Sequence, residues 1–247
     1  MMAAFFKNNT AVNSGKRLQK LIKSFKTSFV LCLIMIYKLL FFIVLFSPLS
    51  SASQASKRGI LKLKKIGFLY TNAASNNFIF EDKDFTYTTN TYKLQAFYKL
   101  ATYKSLEFEL ILQPQIQVLS HQLYNRFFVL PTEENFQEKI KEFTTAKTMH
   151  LYAFELGFSL KKELLKKLDV VLTAGLGLAT IDTRTERLAK GFTFIENASL
   201  GVSYELATKA FLYVGTAIGH VSNFDTKRPN NGYSFVGFEL GFSYLIE

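Results

Sequence analysis

The sequence predicts an all-β protein, an eight-stranded antiparallel transmembrane β-barrel preceded by a signal peptide. Three observations predict it. The body of the 247-residue chain alternates apolar with small or polar residues at period two. The connections between its apolar segments are short and long in turn, and an apolar run near the amino terminus is followed by small residues.

Residues 1–52 have the layout of a secretory signal peptide. Residues 39–46 form an unbroken apolar run after Lys38 and before the small residues around Ala52 and Ala55. A positive end, a short apolar run and a small-residue cleavage site define such peptides. We therefore expect cleavage near Ala52 or Ala55.

Cleavage there leaves an outer-membrane β-barrel over residues 56–247. The alternative is an uncleaved membrane helix over residues 29–46, which is short for a membrane span and is interrupted by Lys38. A compact signal peptide would begin at Met35, so we expect that residues 1–34 reflect an overextended start assignment.

Charge and cysteine content exclude several classes of function. The chain has a formal net charge of +11, but residues 1–52 hold seven of its 30 Lys and Arg and none of its 19 Asp and Glu, which leaves the body at +4. No basic cluster with interleaved aromatic residues marks a nucleic-acid surface. The single cysteine, Cys32, lies outside the body and excludes a disulfide framework or Cys-based metal site there. We expect no nucleic-acid partner, no metal and no cofactor.

Eight segments alternate with period two. In the clearest, residues 106–118, Leu106, Phe108 and Leu110 share one face, and glutamate and glutamine side chains occupy the other. The strands are expected at about 60–71, 88–100, 105–118, 149–160, 168–180, 191–204, 209–222 and 233–246.

The connections between these strands indicate a membrane barrel. Short connections are expected near 101–104, 161–167 and 205–208, and long ones near 72–87, 119–148, 181–190 and 223–232. Barrels of the bacterial outer membrane have short periplasmic turns and long external loops. So small a barrel is filled by side chains, so we expect no open pore and paired inward charges, including Lys99 with Glu107. The loop 119–148 should carry a short amphipathic helix within Glu133–Phe143, packed on the barrel rim.

A soluble barrel or sandwich also alternates, but it places its large apolar residues inside. Here the polar face includes glycines suited to a narrow lumen, at positions 175, 177, 237 and 241, and the apolar face is rich in Phe and Tyr. Together with the signal peptide, this composition favours the membrane barrel.

His220 and Ser222 are the candidate catalytic residues. They lie two positions apart on the seventh predicted strand, so they share a face, with Cβ atoms on the order of 6–7 Å apart. That face also carries Leu212, Val214 and Ile218 and is the lipid-facing one. A histidine next to a serine can activate it as a nucleophile, and ionisable groups in a membrane wall are functional candidates. The alternative is that both side chains lie among lipid headgroups with no catalytic role.

The segment Gly219-His220-Val221-Ser222-Asn223, followed by Pro229-Asn230-Asn231-Gly232, resembles the signature of the lipid A 3-O-deacylase family of outer-membrane eight-stranded barrels. The resemblance implies that Ser222 is the nucleophile, that His220 is the general base and that Asn223 helps to stabilise the oxyanion. It implies as substrate the ester-linked acyl chain at position 3 of lipid A, reached from the barrel's side. Lys227 and Arg228 are then candidate ligands of the lipid A phosphates, although they equally fit a solvated loop.

Two positions depart from the family pattern. The family's acidic triad residue corresponds to Ser234, and a family glycine corresponds to Asp225. A serine cannot stabilise an imidazolium ion as a carboxylate does. Folding strand six onto strand seven at residues 205–208 places Phe194 opposite His220, with Glu196 as a diagonal neighbour that could orient the imidazole. Asp225, or a dyad without an acid, is the alternative.

The leading function is therefore a serine esterase of the bacterial outer membrane that removes the 3-position acyl chain from lipid A, with lipopolysaccharide as its partner and a homodimer left open. One alternative is a catalytically weakened or inactive barrel with a structural or adhesive role, which Ser234 and Asp225 favour. Another is a phospholipid esterase using the same dyad. His121, expected in a loop, and His150, expected at a strand entrance, have no predicted role.

Overall fold

The computed structural model describes residues 61–80 and 83–246, in which eight antiparallel strands form one closed barrel. The strands are β1 (Leu63–Ala74), β2 (Phe85–Tyr103), β3 (Leu106–Leu123), β4 (Lys147–Leu165), β5 (Leu168–Ile181), β6 (Gly191–Ala207), β7 (Ala210–Ser222) and β8 (Tyr233–Leu245). Each strand pairs with its neighbours in sequence, and β1 pairs with β8 to close the ring. The predicted fold class is confirmed. The signal peptide, its cleavage site and the expected start at Met35 lie outside the described residues.

The outer wall of the barrel is apolar and its lumen is polar. On β8, for example, Phe238, Leu240 and Phe242 are 75%, 52% and 50% exposed, whereas Glu239 between them is 4% exposed. A barrel folded in water would bury the aromatic rings and expose the carboxylate. This inverted arrangement is that of a transmembrane barrel, with hydrocarbon around the wall, and it excludes the soluble alternative.

A network of polar side chains fills the middle of the lumen around Glu155. This carboxylate is fully buried and lies 2.9 Å from the Lys93 ammonium. It also accepts hydrogen bonds from the side-chain amides of Gln113, Gln115 and Asn197 at 2.7–2.8 Å. A buried carboxylate is tolerable only when it is paired and hydrogen-bonded in this way. The network confirms that inward charges pair and that the lumen is filled.

The predicted pair of Lys99 and Glu107 is also present, at 3.4 Å. The strand register is not the expected one, because the ladder pairs Lys99 with Glu109 and then shifts at a bulge between Lys99 and Ala101. The long lysine side chain reaches Glu107 across this bulge.

Short and long connections alternate, as predicted. Three two-residue turns join β2 to β3, β4 to β5 and β6 to β7, and each contains a lysine in the left-handed region, Lys104, Lys167 or Lys209, at φ of 54°, 72° and 74°. The connections at the other end of the barrel are far longer. Strands β2 and β3 extend several residues further towards these loops than expected, because their outward residues there are polar and the apolar pattern has already ended. Strand β4 extends mainly at its other end, to Leu165 at the short turn.

The loop between β3 and β4 contains a short 3-10 helix, Arg126–Phe128, and an α-helix, α1 (Phe136–Thr144). Phe143 of α1 is buried, and Phe136 and Ile140 pack against the apolar cluster that closes the barrel at the long-loop end. The predicted amphipathic helix on the barrel rim is confirmed. Within the described residues, no helix is long and apolar enough to span a membrane.

Candidate active site

Strand β7 presents His220 and Ser222 on the outer wall, close to the long-loop end. The same face carries Val214 and Ile218, which are 47% and 41% exposed, whereas the alternate residues, such as Val221 at 0%, point into the barrel. His220 and Ser222 are themselves half-buried. The prediction that they share the lipid-facing side is confirmed.

Two neighbouring strands place polar side chains on either side of His220. Ser234 of β8 lies directly opposite it, and Nδ1 of the imidazole is 2.9 Å from Ser234 Oγ. Glu196 of β6 lies directly opposite it on the other side. Directly paired residues have Cβ atoms about 4.5–5.5 Å apart. The histidine is thus flanked by a hydroxyl and a carboxylate on one outward surface.

The expected register of β6 on β7 was wrong by two residues. Phe194 lies opposite Ser222 rather than His220, and Glu196 lies opposite His220 rather than Ile218. The turn is later and tighter than expected, at residues 208–209, because Lys209 adopts a left-handed conformation and both strands continue almost to it. The correction moves Glu196 from a diagonal to a direct neighbour of His220.

Gly232 packs against the second imidazole nitrogen. Its backbone is left-handed, with φ of 60°, and a Cβ atom at this position would overlap the Val221 carbonyl and lie 3.1 Å from His220 Nε2. Only a glycine allows the chain to pass this close to the histidine. The loop 223–232 therefore forms one side of the imidazole's surroundings.

Aromatic rings lie beside the candidate nucleophile. The ring of Phe194, in register with Ser222, packs edge-on against Phe192 and Phe224, with centroids 4.7 Å and 4.5 Å apart. The backbone carbonyl of Ser222 accepts a hydrogen bond of 2.7 Å from Thr193 Oγ1, which fixes the end of β7. An apolar surface next to the hydroxyl is suited to an acyl chain.

Asn223 is fully buried beneath the loop that it begins. Its side-chain nitrogen donates to the Lys227 carbonyl at 2.6 Å, and its backbone N–H donates to Asn230 Oδ1 at 2.6 Å. The side-chain oxygen has no hydrogen-bond partner among the described residues. In this structure Asn223 therefore organises the loop, and the expected oxyanion contact requires this fully buried side chain to change its position.

The comparisons with known proteins bear on this site. The family model described as lipid A 3-O-deacylase (PagL) matches residues 90–243, which include β7, the loop and most of β8. The chain belongs to this family. It is accordingly an outer-membrane protein of a hydrolase family. No curated protein matches the chain.

Solved outer-membrane proteins resemble the barrel. The crystal structure of the outer membrane enzyme PagL is 14% identical, with a TM-score of 0.47, and the match covers 74% of this chain and 99% of that one. Neisserial surface protein A is 13% identical, with a TM-score of 0.39, over 73% of this chain and 94% of its own.

Ser234 and Asp225 are the residues expected to depart from the family pattern. Ser234, expected at the position of the family's acidic residue, lies with its Oγ 2.9 Å from His220 Nδ1. Asp225 is exposed in the loop with φ of 60°, a conformation that glycine adopts at lower cost. Lys227 and Arg228 are also exposed there, on the same loop as the residues that border the site.

The remaining histidines lie away from Ser222. His121 lies in β3, so the expectation that it lies in a loop is wrong. It is buried at the barrel mouth, with Nε2 2.9 Å from Glu186 Oε2. The strand was underestimated because its outward residues, such as Ser120 and Gln122, are polar at that end. His150 lies near the start of β4, as expected, and pairs with Asp182 at 3.1 Å. Among residues 61–80 and 83–246, no cluster of His, Cys, Asp or Glu is arranged to hold a metal ion.

Proposed function

We propose that the protein is a serine esterase that removes the ester-linked acyl chain at position 3 of lipid A. The observation that carries the proposal is the outward placement of His220 and Ser222 on a lipid-facing strand, with Ser234 Oγ 2.9 Å from His220 Nδ1. An ester buried at the top of the outer leaflet is accessible to a nucleophile on the side of a barrel and not to one inside it. The family match supports lipid A as the substrate.

The chemistry assigns a role to each imidazole nitrogen. In the proposed tautomer Nδ1 carries the proton and donates it to Ser234 Oγ, 2.9 Å away, and Nε2 is then the base. Nε2 takes the proton of Ser222 as its Oγ attacks the ester carbonyl, and returns it to the departing sugar oxygen. Water then hydrolyses the acyl-enzyme by the same route in reverse. The aromatic surface formed by Phe192, Phe194 and Phe224 holds the acyl chain next to the hydroxyl.

Glu196 supplies the negative charge that Ser234 lacks. A serine hydroxyl can orient the imidazole, but it cannot stabilise the positive charge that develops there. Glu196 is in direct register with His220 and half-buried on the same face. Orientation and charge stabilisation, which one acidic residue provides in a usual triad, are here divided between β8 and β6.

Two further roles are proposed for the loop. When substrate binds, Asn223 turns its amide from the Lys227 carbonyl to the oxyanion. Lys227 and Arg228, which are exposed on the same loop, bind the phosphates of lipid A. The homodimer stays a prediction.

The test uses the purified protein in detergent micelles with lipid A or with phospholipid as substrate. Wild type is expected to release a 3-hydroxy fatty acid from lipid A, and Ser222→Ala is expected to lower the rate by at least about 10³-fold. Ser120→Ala is a matched control, because Ser120 is an exposed serine near the long-loop end of β3. Release from phospholipid alone would identify a phospholipid esterase, and no release from either would favour the structural or adhesive barrel.

A further inference from the structure

The loop between β5 and β6, residues 182–190, lies against the loop 223–232 that borders the site. Leu188 and Asn230 form an isolated antiparallel bridge, and the Ala189 N–H donates to the Pro229 carbonyl at 3.0 Å. The two loops therefore form a small two-stranded extension beyond the barrel wall.

Arg187 makes the contacts nearest to the histidine. Its Nε donates to the Gly232 carbonyl at 2.7 Å, while its own carbonyl accepts from the N–H groups of Asn231 and Gly232 at 2.8 Å and 3.1 Å. Its guanidinium lies 4.4 Å from the centre of the Phe85 ring, a favourable cation–π distance. One residue thus holds the peptide groups on both sides of Gly232.

The base of the same loop is anchored in the barrel mouth. Glu186 Oε2 lies 2.9 Å from His121 Nε2, and both side chains are almost completely buried. The Thr185 hydroxyl lies 2.8 Å from Tyr87 OH, and the Tyr87 ring is stacked on His121. Arg187 therefore directly follows two residues that are anchored in the barrel mouth.

Gly232 is the residue against His220 Nε2, where even one added carbon atom would lie 3.1 Å from the nitrogen. A shift of Gly232 therefore changes the space available to this nitrogen. We propose that Arg187 is a positioning residue that holds Gly232 against the imidazole and so keeps Nε2 aligned with Ser222. This proposal rests on the proposed function, in which Nε2 is the base.

The kinetic test compares the full-length mature barrel with its Arg187→Ala and Arg187→Lys variants in micelles containing lipid A. We expect Arg187→Ala to lower kcat by about 10–100-fold with KM within about twofold, because misalignment of the base affects the chemical step and not binding. Arg187→Lys retains a donor and a charge and is expected to recover most of kcat. Lys190→Ala, an exposed cation of the same loop, is the control and should match wild type.

A second readout does not depend on turnover. The readout is the NMR spectrum of protein labelled at histidine, in which the His220 ring signals are assigned by their loss in His220→Asn. We expect these signals to shift or broaden in Arg187→Ala and to remain near wild type in Arg187→Lys. Glu196, which is paired with His220, and the charged residues of the bordering loop, Asp225, Lys227 and Arg228, are the same in all these variants. A purely structural role for Arg187 would lower the yield of folded barrel without changing kcat per folded molecule.

Unchanged kcat together with unchanged His220 signals in Arg187→Ala would overturn the positioning role. If wild type itself released no acid from lipid A, the proposed function would fail. The His220 signals of Arg187→Ala would still decide whether Arg187 positions the imidazole.

Discussion

The division of the acid's role between Ser234 and Glu196 is tested by Glu196→Gln. This change keeps the size of the side chain and removes its charge. Glu196 and His220 are directly paired, and the Cβ atoms of such residues are about 5 Å apart. Opposite charges at that separation attract each other by about 3 kcal/mol at an effective dielectric constant of about 20. Because the site is half-exposed, solvent screening reduces this to about 1–2 kcal/mol. That energy corresponds to a fall in kcat of about 5–30-fold.

The assay is release of 3-hydroxy fatty acid from lipid A by purified protein at neutral pH. Glu134→Gln, at an exposed position of the β3–β4 loop, is the matched control and should leave the rate unchanged. Adding Ser234→Glu to Glu196→Gln should restore activity, because it returns a carboxylate to the side chain position that now lies 2.9 Å from Nδ1. Glu196 has no such role if the rate of Glu196→Gln stays within twofold of wild type while Ser222→Ala is inactive.

Three other predictions concern the loop, the lumen and the rim. Gly232→Ala should abolish most activity, measured by acid release, because the new methyl group overlaps a backbone carbonyl and the residue is left-handed. Glu155→Leu should cost about 3–5 kcal/mol, measured by urea unfolding in micelles, because it leaves Lys93 buried without its carboxylate. Hydrogen bonds from Arg184 hold the pKa of Glu142 below its usual range, so this pair stabilises the docking of α1 at neutral pH and loses that effect as the pH falls through the lowered pKa. The protection factors of the α1 backbone amides, obtained from hydrogen exchange at a series of pH values, measure this stabilisation.

Controls separate these effects from general damage. Gly191→Ala changes another left-handed glycine that has open space around it and should leave activity near wild type. Glu163→Leu removes an exposed carboxylate near the β4–β5 turn and should change unfolding by less than about 1 kcal/mol. Arg184→Gln should remove most of the pH dependence of the α1 protection factors, which are the exchange rates corrected for the intrinsic effect of pH; a wild-type pH dependence of these factors in this variant would contradict the Glu142 assignment.

Strand number, strand direction and the outward placement of the candidate dyad follow from the sequence because side-chain direction alternates strictly along a strand. Once β7 is recognised, the shared face of His220 and Ser222 is fixed by their spacing alone. The register between β6 and β7 does not follow from this alternation, because it depends on which residues form the turn. Lys209 takes the left-handed position there, and a lysine gives no signal of the kind that Gly or Asn would give.

The contacts around the imidazole depend on distant segments. Arg187 is 45 positions before Gly232, and only the closed ring of strands brings the two loops together. The strand position of His121 was missed because polar outward residues above the apolar band carry no period-two pattern. Pairing in β3 there is maintained by the ladder and by the buried contact with Glu186, neither of which is local in sequence.

The most direct test of the central claim is mass spectrometry of lipid A from cells that produce this protein in their outer membrane. Wild type is expected to yield lipid A lacking one 3-hydroxyacyl chain, and Ser222→Ala is expected to yield intact lipid A at the same level of folded barrel. Unchanged lipid A with wild type, or loss of the chain in Ser222→Ala, would contradict it.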